Sequence, residues 1–228
     1  MGVYLILILV MGASFYVSWR LKKKFAQYAQ VGLSNDLSGK EIAEKMLREN
    51  GIFDVRVMSV EGQLTDHYNP QDKTVNLSNE VFHGRSVSAA AVASHECGHA
   101  VQHATAYAAL QFRSAIVPFV SVASNYMQWV ILGGILLINT TIVPLAIGVV
   151  LFGVTTLFSF ITLPVEFDAS RRALAWIDER GIVNEREHVM AKDALKWAAM
   201  TYVVAAIGSL ATLLYYVSIL MGVGRRND

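Results

Sequence analysis

The stretch that decides the fold is AAAVASHECGHAVQHATAY, residues 89–107, an alanine-rich run that carries three histidines, a glutamate and the only cysteine of the chain. Alanine is the strongest helix former, so the run predicts an α-helix. Its small side chains suit a helix that packs tightly against neighbours on both sides. His95 and His99 are four residues apart, which places both imidazoles on one face of this helix.

The rest of the chain is unusually apolar. Of its 228 residues, 54% are hydrophobic and 16% are charged, which is too apolar for an ordinary soluble domain and indicates a membrane protein. The net charge of +1 provides no electrostatic footprint for nucleic acid, so we expect no nucleic-acid partner. A single cysteine also excludes an internal disulfide.

Uncharged stretches long enough to cross a bilayer as helices occur along the chain. We expect a first transmembrane helix at 3–19, a transmembrane hairpin at 115–163 and a last transmembrane helix at 202–223. The lipid bilayer is then a permanent partner of the chain. The segment 164–200 between the hairpin and the last helix is polar enough to lie outside the bilayer.

The distribution of basic residues predicts the orientation. The cluster RLKKK at 20–24 directly follows the first stretch, and the positive-inside rule keeps that end in the cytoplasm. Eleven Lys and Arg residues fall in 20–114 and six in 164–200. Arg225 and Arg226 oppose this topology, because four spans place the C-terminus outside. We expect a multi-pass protein of the cell membrane with its polar segments in the cytoplasm.

Residues 25–114 contain enough polar sequence for a small water-facing domain of mixed α and β structure. Ser38, followed three residues later by Glu41, predicts a capping box at the start of a helix, and Gly51 suits its end. Short β-rich runs separated by turn signals then predict a meander of two or three strands. The last run contains VNLS, 75–78, which we expect to be an exposed edge strand before the histidine helix.

Residues 95–99, HECGH, match the pattern HExxH. Two histidines one helical turn apart bind a single Zn²⁺, and Glu96 beside them reaches a water on the metal as general base. Such a site hydrolyses amide bonds at neutral pH. The alternative is a helix that contains histidines without a metal. That alternative leaves His95, Glu96 and His99 buried without the partners that a metal supplies.

Two neighbours in this helix are expected to have other roles. His103 lies one turn beyond His99, about 6 Å further along the axis at 1.5 Å per residue, so we expect it at the rim of the site or in solvent. Cys97 points away from the histidine face, and we expect it to be a small packed core residue. Thr105 occupies the position where a metzincin has its third histidine, which excludes that class.

The third ligand is expected downstream, in LPVEFDASRRALAWI at 163–177. Pro164 suits the first turn of a helix, and Glu166 then lies at its opening. The residues that share its helical face are small and allow another helix to approach closely: Ala169, Ser170 and Ala173. The alternative is a first-turn glutamate that the helix dipole stabilises without any metal.

These residues resemble the YugP-type neutral zinc metallopeptidases of bacteria. The resemblance rests on HECGH within VASHECGHAVQHA, on EFDASRRAL after an apolar hairpin, and on an N-terminal membrane anchor, and it covers essentially the whole chain. It implies a mainly α membrane protein, with about four transmembrane helices and a small α+β zincin-like domain at the membrane surface. It also implies His95, His99 and Glu166 as Zn²⁺ ligands and Glu96 as the general base.

More distantly, the chain is similar to the membrane gluzincins of the HtpX-like and CAAX prenyl protease group. Those enzymes have an aspartate where this chain has Ser170. A contact that orients a ligand histidine is therefore expected either from the Ser170 hydroxyl or from elsewhere.

Substrate contacts are less specified by the sequence. If VNLS is an edge strand, it pairs with an extended peptide by strand addition, which makes these the expected substrate-binding residues: Val75, Asn76, Leu77 and Ser78. The residue that stabilises the transition state is left open among four candidates: Arg171, Arg172, His188 and Tyr107.

The function expected is that of a zinc metallopeptidase in the bacterial cell membrane, with its active site on the cytoplasmic side. Its substrates would be peptides or membrane proteins whose cleavage sites lie near that surface. The alternative is a non-catalytic membrane scaffold that retains the zinc fold. A scaffold has no need of a general base, and Glu96 is present.

Overall fold

The computed structural model describes residues 2–224, and the side chains of residues 5–222. Within these bounds the chain is 75% helical and has one small three-stranded sheet. In chain order its elements are α1 (Gly2–Ala29), α2 (Gly39–Glu49), β1 (Arg56–Val60), β2 (His67–Asn69), β3 (Thr74–Ser78), α3 (Asn79–His83), α4 (Val87–Ala104), α5 (Ala108–Leu136), α6 (Val143–Glu179) and α7 (Glu185–Gly224). Arg225 and Arg226 lie outside the described residues.

Four of the described helices are long and apolar enough to cross a membrane, and they are α1, α5, α6 and α7. Large apolar side chains on these helices are exposed, among them Phe15, Phe119, Trp129 and Leu136. Exposed apolar surface of this extent requires an apolar solvent such as lipid. The predicted fold class, a mainly α membrane protein with about four spans and a small sheet, is confirmed.

The chain divides into two compact units. The first, the apolar unit, comprises Met1–Tyr16, Phe112–Leu163 and Thr201–Asp228. The second, the sheet unit, comprises Val17–Gln111 and Pro164–Met200. The sheet unit contains α4 and all the predicted site residues.

Small residues allow close helix packing in the apolar unit. A Cβ atom at Gly134 of α5 would lie 2.5 Å from the backbone of Leu145 in α6, so only glycine fits there. The hydroxyl oxygens of Thr156 and Ser209 lie 2.7 Å apart and join α6 to α7. Small residues and hydroxyl pairs of this kind are typical of helix packing in membranes.

The helix before the sheet begins and ends as its sequence predicts. The Ser38 side chain accepts a hydrogen bond from the backbone N–H of Glu41, and the Ser38 backbone N–H donates to the Glu41 carboxylate, which completes the capping box. Gly51 follows the helix with φ +72°, in the left-handed region. The apolar face of α2, which carries Ile42 and Met46, packs in the same core as α4 and the sheet.

The centre of the sheet unit is α4. Its side chains are buried on nearly every side, and its alanines Ala90, Ala91 and Ala93 are fully buried. The large side chains that pack around it come from the neighbouring elements: Ile42 and Met46 of α2, Leu77 of β3 and Ile177 of α6. The alanine-rich sequence therefore determines where the core lies, because its small side chains let neighbouring elements pack around this helix on nearly every side.

The order of the strands differs from the predicted meander. The sheet has the order β1-β3-β2, with β3 parallel to β1 and antiparallel to β2. The last strand in sequence is thus the central one, because its apolar side chains are the ones that α4 covers. The strands β1 and β2 carry more exposed residues and form the two edges.

The predicted edge strand VNLS is therefore wrong. Strand β3 lies between β1 and β2, which pairs with residues 74–76, and the Ser78 backbone N–H donates to Asp66, so β3 is not an open edge for an added peptide strand. Val75 and Leu77 are fully buried, and the Ser78 side chain donates to Asp66. Asn76 donates to Thr74. Strand addition at these four residues is contradicted by the structure.

The predicted helix start at Pro164 is also wrong. Helix α6 runs without interruption from Val143 to Glu179, and Pro164 lies inside it. A proline in a helix interior lacks one backbone N–H donor but can be accommodated where packing holds the helix. Glu166 is consequently in the middle of a long helix, so stabilisation by a helix N-terminus does not explain its presence.

Helices α4 and α6 approach each other very closely. A Cβ atom at Gly98 would lie 2.6 Å from the backbone oxygen of Ala169. No side chain fits in this gap, and only backbone lies on the other side. Gly98 is therefore required for the distance between these two helices.

We predict that Gly98→Ala destabilises the protein by about 1–3 kcal/mol, because the added methyl group must displace backbone. The measurement is the thermal unfolding midpoint of the purified chain in detergent. Gly153→Ala is the matched control, since Gly153 also lies in a helix and has nothing within 4 Å of its Cβ position. Equal midpoints for the two variants would contradict the close approach.

Candidate metal centre

His95 and His99 lie on one face of α4 and project their rings together. The ring centroids are 4.8 Å apart, and the rings are nearly perpendicular. Both side chains are largely buried, with 13% of their surface exposed. The four-residue spacing thus produces the paired imidazoles that the HExxH pattern predicts.

Glu166 of α6 faces these two imidazoles. Its Oε2 atom lies 3.4 Å from His95 Nε2 and 3.6 Å from His99 Nε2. The side chain is buried, and the potential ligand atoms of the three residues all lie within 4.8 Å of one another. The narrow gap at Gly98 makes this possible, because it brings the backbone of α6 next to the histidine helix.

This donor set fits a tetrahedral Zn²⁺ ion. With Zn–N and Zn–O bonds of about 2.0–2.1 Å, two ligands of a tetrahedral ion are separated by about 3.3–3.5 Å. The distances from Glu166 to the two imidazoles, 3.4 and 3.6 Å, match this separation. Two imidazole nitrogens and one carboxylate also form the ligand set of a zinc site that keeps its fourth position open.

The electrostatic environment of His99 also favours a cation. Burial alone lowers the pKa of the His99 imidazole, but the carboxylates of Glu166 and Glu96 outweigh burial and raise that pKa above its ordinary value. The site therefore has a negative potential at the imidazole nitrogens, which stabilises a bound divalent cation as it does a proton.

A hydrogen-bonded network behind His99 fixes the orientation of its ring. Gln102, fully buried, donates from Nε2 to Val165 O at 2.8 Å and to Asp168 Oδ2 at 3.0 Å. Its Oε1 atom must then face His99 Nδ1, 3.0 Å away. Because an amide oxygen only accepts, Nδ1 carries the proton and Nε2 keeps its lone pair for a ligand.

Asp168 completes the network on α6. This buried carboxylate accepts hydrogen bonds from Arg172 Nε at 2.6 Å and from Arg171, in addition to Gln102. A buried carboxylate needs such partners to remain charged. Gln102 is not among the site residues that the sequence predicts, although an amide three residues after His99 on the same helix is a signal for such a contact.

His95 has a simpler partner. Its Nδ1 atom lies 3.2 Å from the Ser170 hydroxyl oxygen, which accepts the Nδ1 proton when Nε2 acts as a ligand. The Ser170 hydroxyl therefore lies within hydrogen-bonding distance of the histidine. Of the two possibilities left open for this contact, the structure shows the serine one.

Glu96 lies beside the two histidines and is held by the sheet. Its Oε2 atom accepts a hydrogen bond from the backbone N–H of Tyr68 in β2, at 3.0 Å. The side chain is nearly buried, with 9% of the residue exposed. This bond occupies one carboxylate oxygen and leaves Oε1 available to accept a proton.

His103 and Cys97 have the surroundings expected of them. His103 lies at the end of α4, where its Nδ1 atom is 2.9 Å from the Tyr68 hydroxyl, and it is exposed. Cys97 is completely buried, and its Sγ atom lies 3.6 Å from the backbone oxygen of Ala43. Burial, with a further contribution from the charge of Glu96, raises the pKa of this thiol far above its ordinary value.

The four open candidates for transition-state stabilisation lie in different places. Arg171 and Arg172 both donate to Asp168. The guanidinium of Arg172 also lies 5.7 Å from the ring centroid of Tyr107. His188 lines a groove between α6 and α7. None of these contacts involves the side chains of His95, His99 or Glu166.

The fold and the site together define a class: a helical membrane protein with a buried His–His–Glu cluster and a glutamate beside it, built on HExxH. The chain belongs to the family described as "Putative neutral zinc metallopeptidase", whose family model matches residues 3–221. It is 43% identical over 214 residues to the "Putative membrane protease YugP" of Bacillus subtilis (strain 168), a match that covers 94% of each chain. No solved structure matches the chain. The resemblance recognised in the sequence is thereby confirmed.

We predict that Gln102→Leu weakens zinc retention by about 10- to 100-fold, the usual effect of removing the partner of a ligand histidine. The measurement is the zinc affinity of the purified chain in competition with a chelator. Thr105→Val is the matched control, because the Thr105 hydroxyl on the same helix donates only to carbonyls of that helix. An unchanged affinity in Gln102→Leu would contradict the orienting role of the amide.

Proposed function

We propose that this chain is a zinc-dependent membrane endopeptidase in which His95, His99 and Glu166 hold Zn²⁺ and Glu96 is the general base. The observation that supports it most directly is the placement of Glu166 Oε2 at 3.4 and 3.6 Å from the two imidazole nitrogens of the HExxH helix. The family and the similar membrane protease from Bacillus subtilis support the same class of activity.

The protein residues divide the work as follows. A zinc ion in this site would lower the pKa of its water to about 7 and polarise the substrate carbonyl. Glu96 accepts the proton of the attacking water on Oε1, while the Tyr68 N–H holds Oε2 in place. Glu96 then returns this proton to the leaving amine. Gln102 and Ser170 keep the two imidazole rings oriented throughout.

The substrate backbone binds along β2 in this proposal. Strand β2 is an edge of the sheet, and the Tyr68 N–H that binds Glu96 points away from β3. In an antiparallel pair the N–H and C=O of one residue point to the same side, so the Tyr68 carbonyl also lies on the open side. It can accept a hydrogen bond from an extended peptide that passes next to Glu96.

The cellular setting follows from the distribution of charge. The cluster RLKKK at 20–24 and the basic residues of 164–200 favour a cytoplasmic location for the active site, in a multi-pass protein of the bacterial cell membrane. The substrates in this proposal are membrane proteins or peptides that present an extended segment close to the cytoplasmic surface.

The general-base role is tested by Glu96→Gln, which keeps the size of the side chain but removes its basicity. We expect hydrolysis of fluorescently labelled casein by the detergent-purified chain to fall about 10²- to 10⁴-fold. The zinc content, measured on the same sample, should stay at the level of the parent chain, because Glu96 is not a ligand in this proposal.

The control is Glu80→Gln, the same chemical change at an exposed glutamate of α3. It should leave both the rate and the zinc content unchanged. If Glu96→Gln keeps full activity, the mechanism is wrong. If the parent chain binds zinc but hydrolyses neither casein nor a membrane-inserted test protein, the non-catalytic scaffold is favoured instead.

A further inference from the structure

A groove of about 530 Å³ runs between the second half of α6 and the first half of α7, entirely within the sheet unit. Its floor is apolar and includes Phe167, Ala199 and Met200. The volume falls in the range of roughly 300–1,000 Å³ that is typical of small-molecule sites. Of the residues that line this groove, the mechanism proposed above uses only Ser170.

Basic residue types border the apolar floor, and the two lysines among them carry the positive charge used below. His188, Lys192 and Lys196 follow each other at four-residue intervals, so they form one stripe along α7, and Arg171 lies across the groove on α6. Asp178 is the single acidic residue in the described lining. Within the described residues, the amino groups of Lys192 and Lys196 form no hydrogen bond or ion pair with another protein group. An apolar floor with unpaired cations is complementary to an anionic amphiphile.

The position of these cations along the chain indicates their depth. Lys196 lies six residues before the predicted transmembrane stretch 202–223, and Arg171 lies eight residues after the stretch 115–163. At 1.5 Å per residue these separations are about 9 and 12 Å along the respective helices. The headgroup layer of a bilayer extends about 5–8 Å beyond the hydrocarbon core on each side, so Lys196 and Arg171 lie just beyond it, where their long side chains can reach the headgroups.

We propose that this groove binds one anionic phospholipid, with its phosphate between Lys192 and Lys196 and an acyl chain that runs toward the bilayer along Phe167, Ala199 and Met200. Basic pockets between helices next to the membrane bind such headgroups in other membrane proteins. The apolar floor favours a lipid over free inorganic phosphate, which has nothing to place there. Ser170 lines the groove and also contacts His95, so the lipid site borders the metal centre.

The test is native mass spectrometry of the full chain, released from detergent with equal amounts of phosphatidylglycerol and phosphatidylcholine. We expect preferential retention of one phosphatidylglycerol. In Lys192→Gln/Lys196→Gln this retention should fall roughly ten- to thirtyfold, from the usual contribution of a lysine next to an anionic lipid. Retention of phosphatidylcholine should not change.

Two further variants separate this site from general surface charge. Lys22→Gln/Lys23→Gln makes the same change of charge at exposed residues that follow another predicted span, and it should leave phosphatidylglycerol retention unchanged. Phe167→Gln replaces an exposed apolar side chain of the groove with an uncharged polar one, and it should reduce retention of both lipids.

Three results would overturn the proposal. Unchanged retention in the Lys192/Lys196 variant excludes the phosphate position, and an equal loss in the Lys22/Lys23 variant shows a general charge effect. Unchanged retention in Phe167→Gln excludes the acyl chain from the groove. If the Lys192/Lys196 variant keeps the lipid but loses hydrolysis of an acidic peptide that the parent cleaves, the groove is a peptide subsite. Lipid retention is measured without reference to proteolysis, so it is independent of the proposed function.

Discussion

The distance between α4 and α6 at Gly98 is the constraint on which the rest of the site depends. The absence of a side chain at Gly98 lets the backbone at Ala169 come into contact with the histidine helix. Three residues before Ala169, Glu166 then reaches both imidazoles. A larger residue at either position would separate the helices and leave a buried carboxylate without partners, which is costly in free energy.

The same contact places polar groups in a buried interface, and these groups must be satisfied. The chain from His99 through Gln102 to Asp168 and its arginines satisfies each of them in one connected network. The amide of Gln102 can take only one orientation there, since both of its other neighbours are acceptors. That orientation in turn fixes which nitrogen of His99 is free. Helix packing and ligand chemistry are therefore set by the same few residues.

The sequence predicts the parts of this arrangement that depend on short-range pattern. The spacing of His95 and His99, the capping box at Ser38 and the small residues around Ala169 each follow from helical periodicity. The sequence also indicates Glu166 as a ligand. However, it predicts a helix that begins at Pro164, whereas α6 continues through this residue. Proline inside a membrane helix is tolerated, so its presence did not mark a boundary.

The order of the strands in the sheet and the contacts between residues distant in sequence could not be predicted in the same way. VNLS has the pattern of a strand, but its position in the sheet depends on which strand packs against α4, and a pattern within one strand carries no information on this. Gln102 was missed for a similar reason, because its partners Val165 and Asp168 are more than sixty residues away in sequence. The groove between α6 and α7 likewise exists only once both helices are packed.

The central claim, that two histidines of α4 and the glutamate of α6 form one zinc site, is tested most directly by X-ray absorption spectroscopy at the zinc edge of the purified chain. The expected first shell contains two imidazole nitrogens and oxygen ligands at about 2.0–2.1 Å. In Glu166→Ala the two imidazoles should remain and the oxygen shell should change. A shell with three imidazoles, or with a sulfur at about 2.3 Å, would show that His103 or Cys97 is a ligand and would contradict the account.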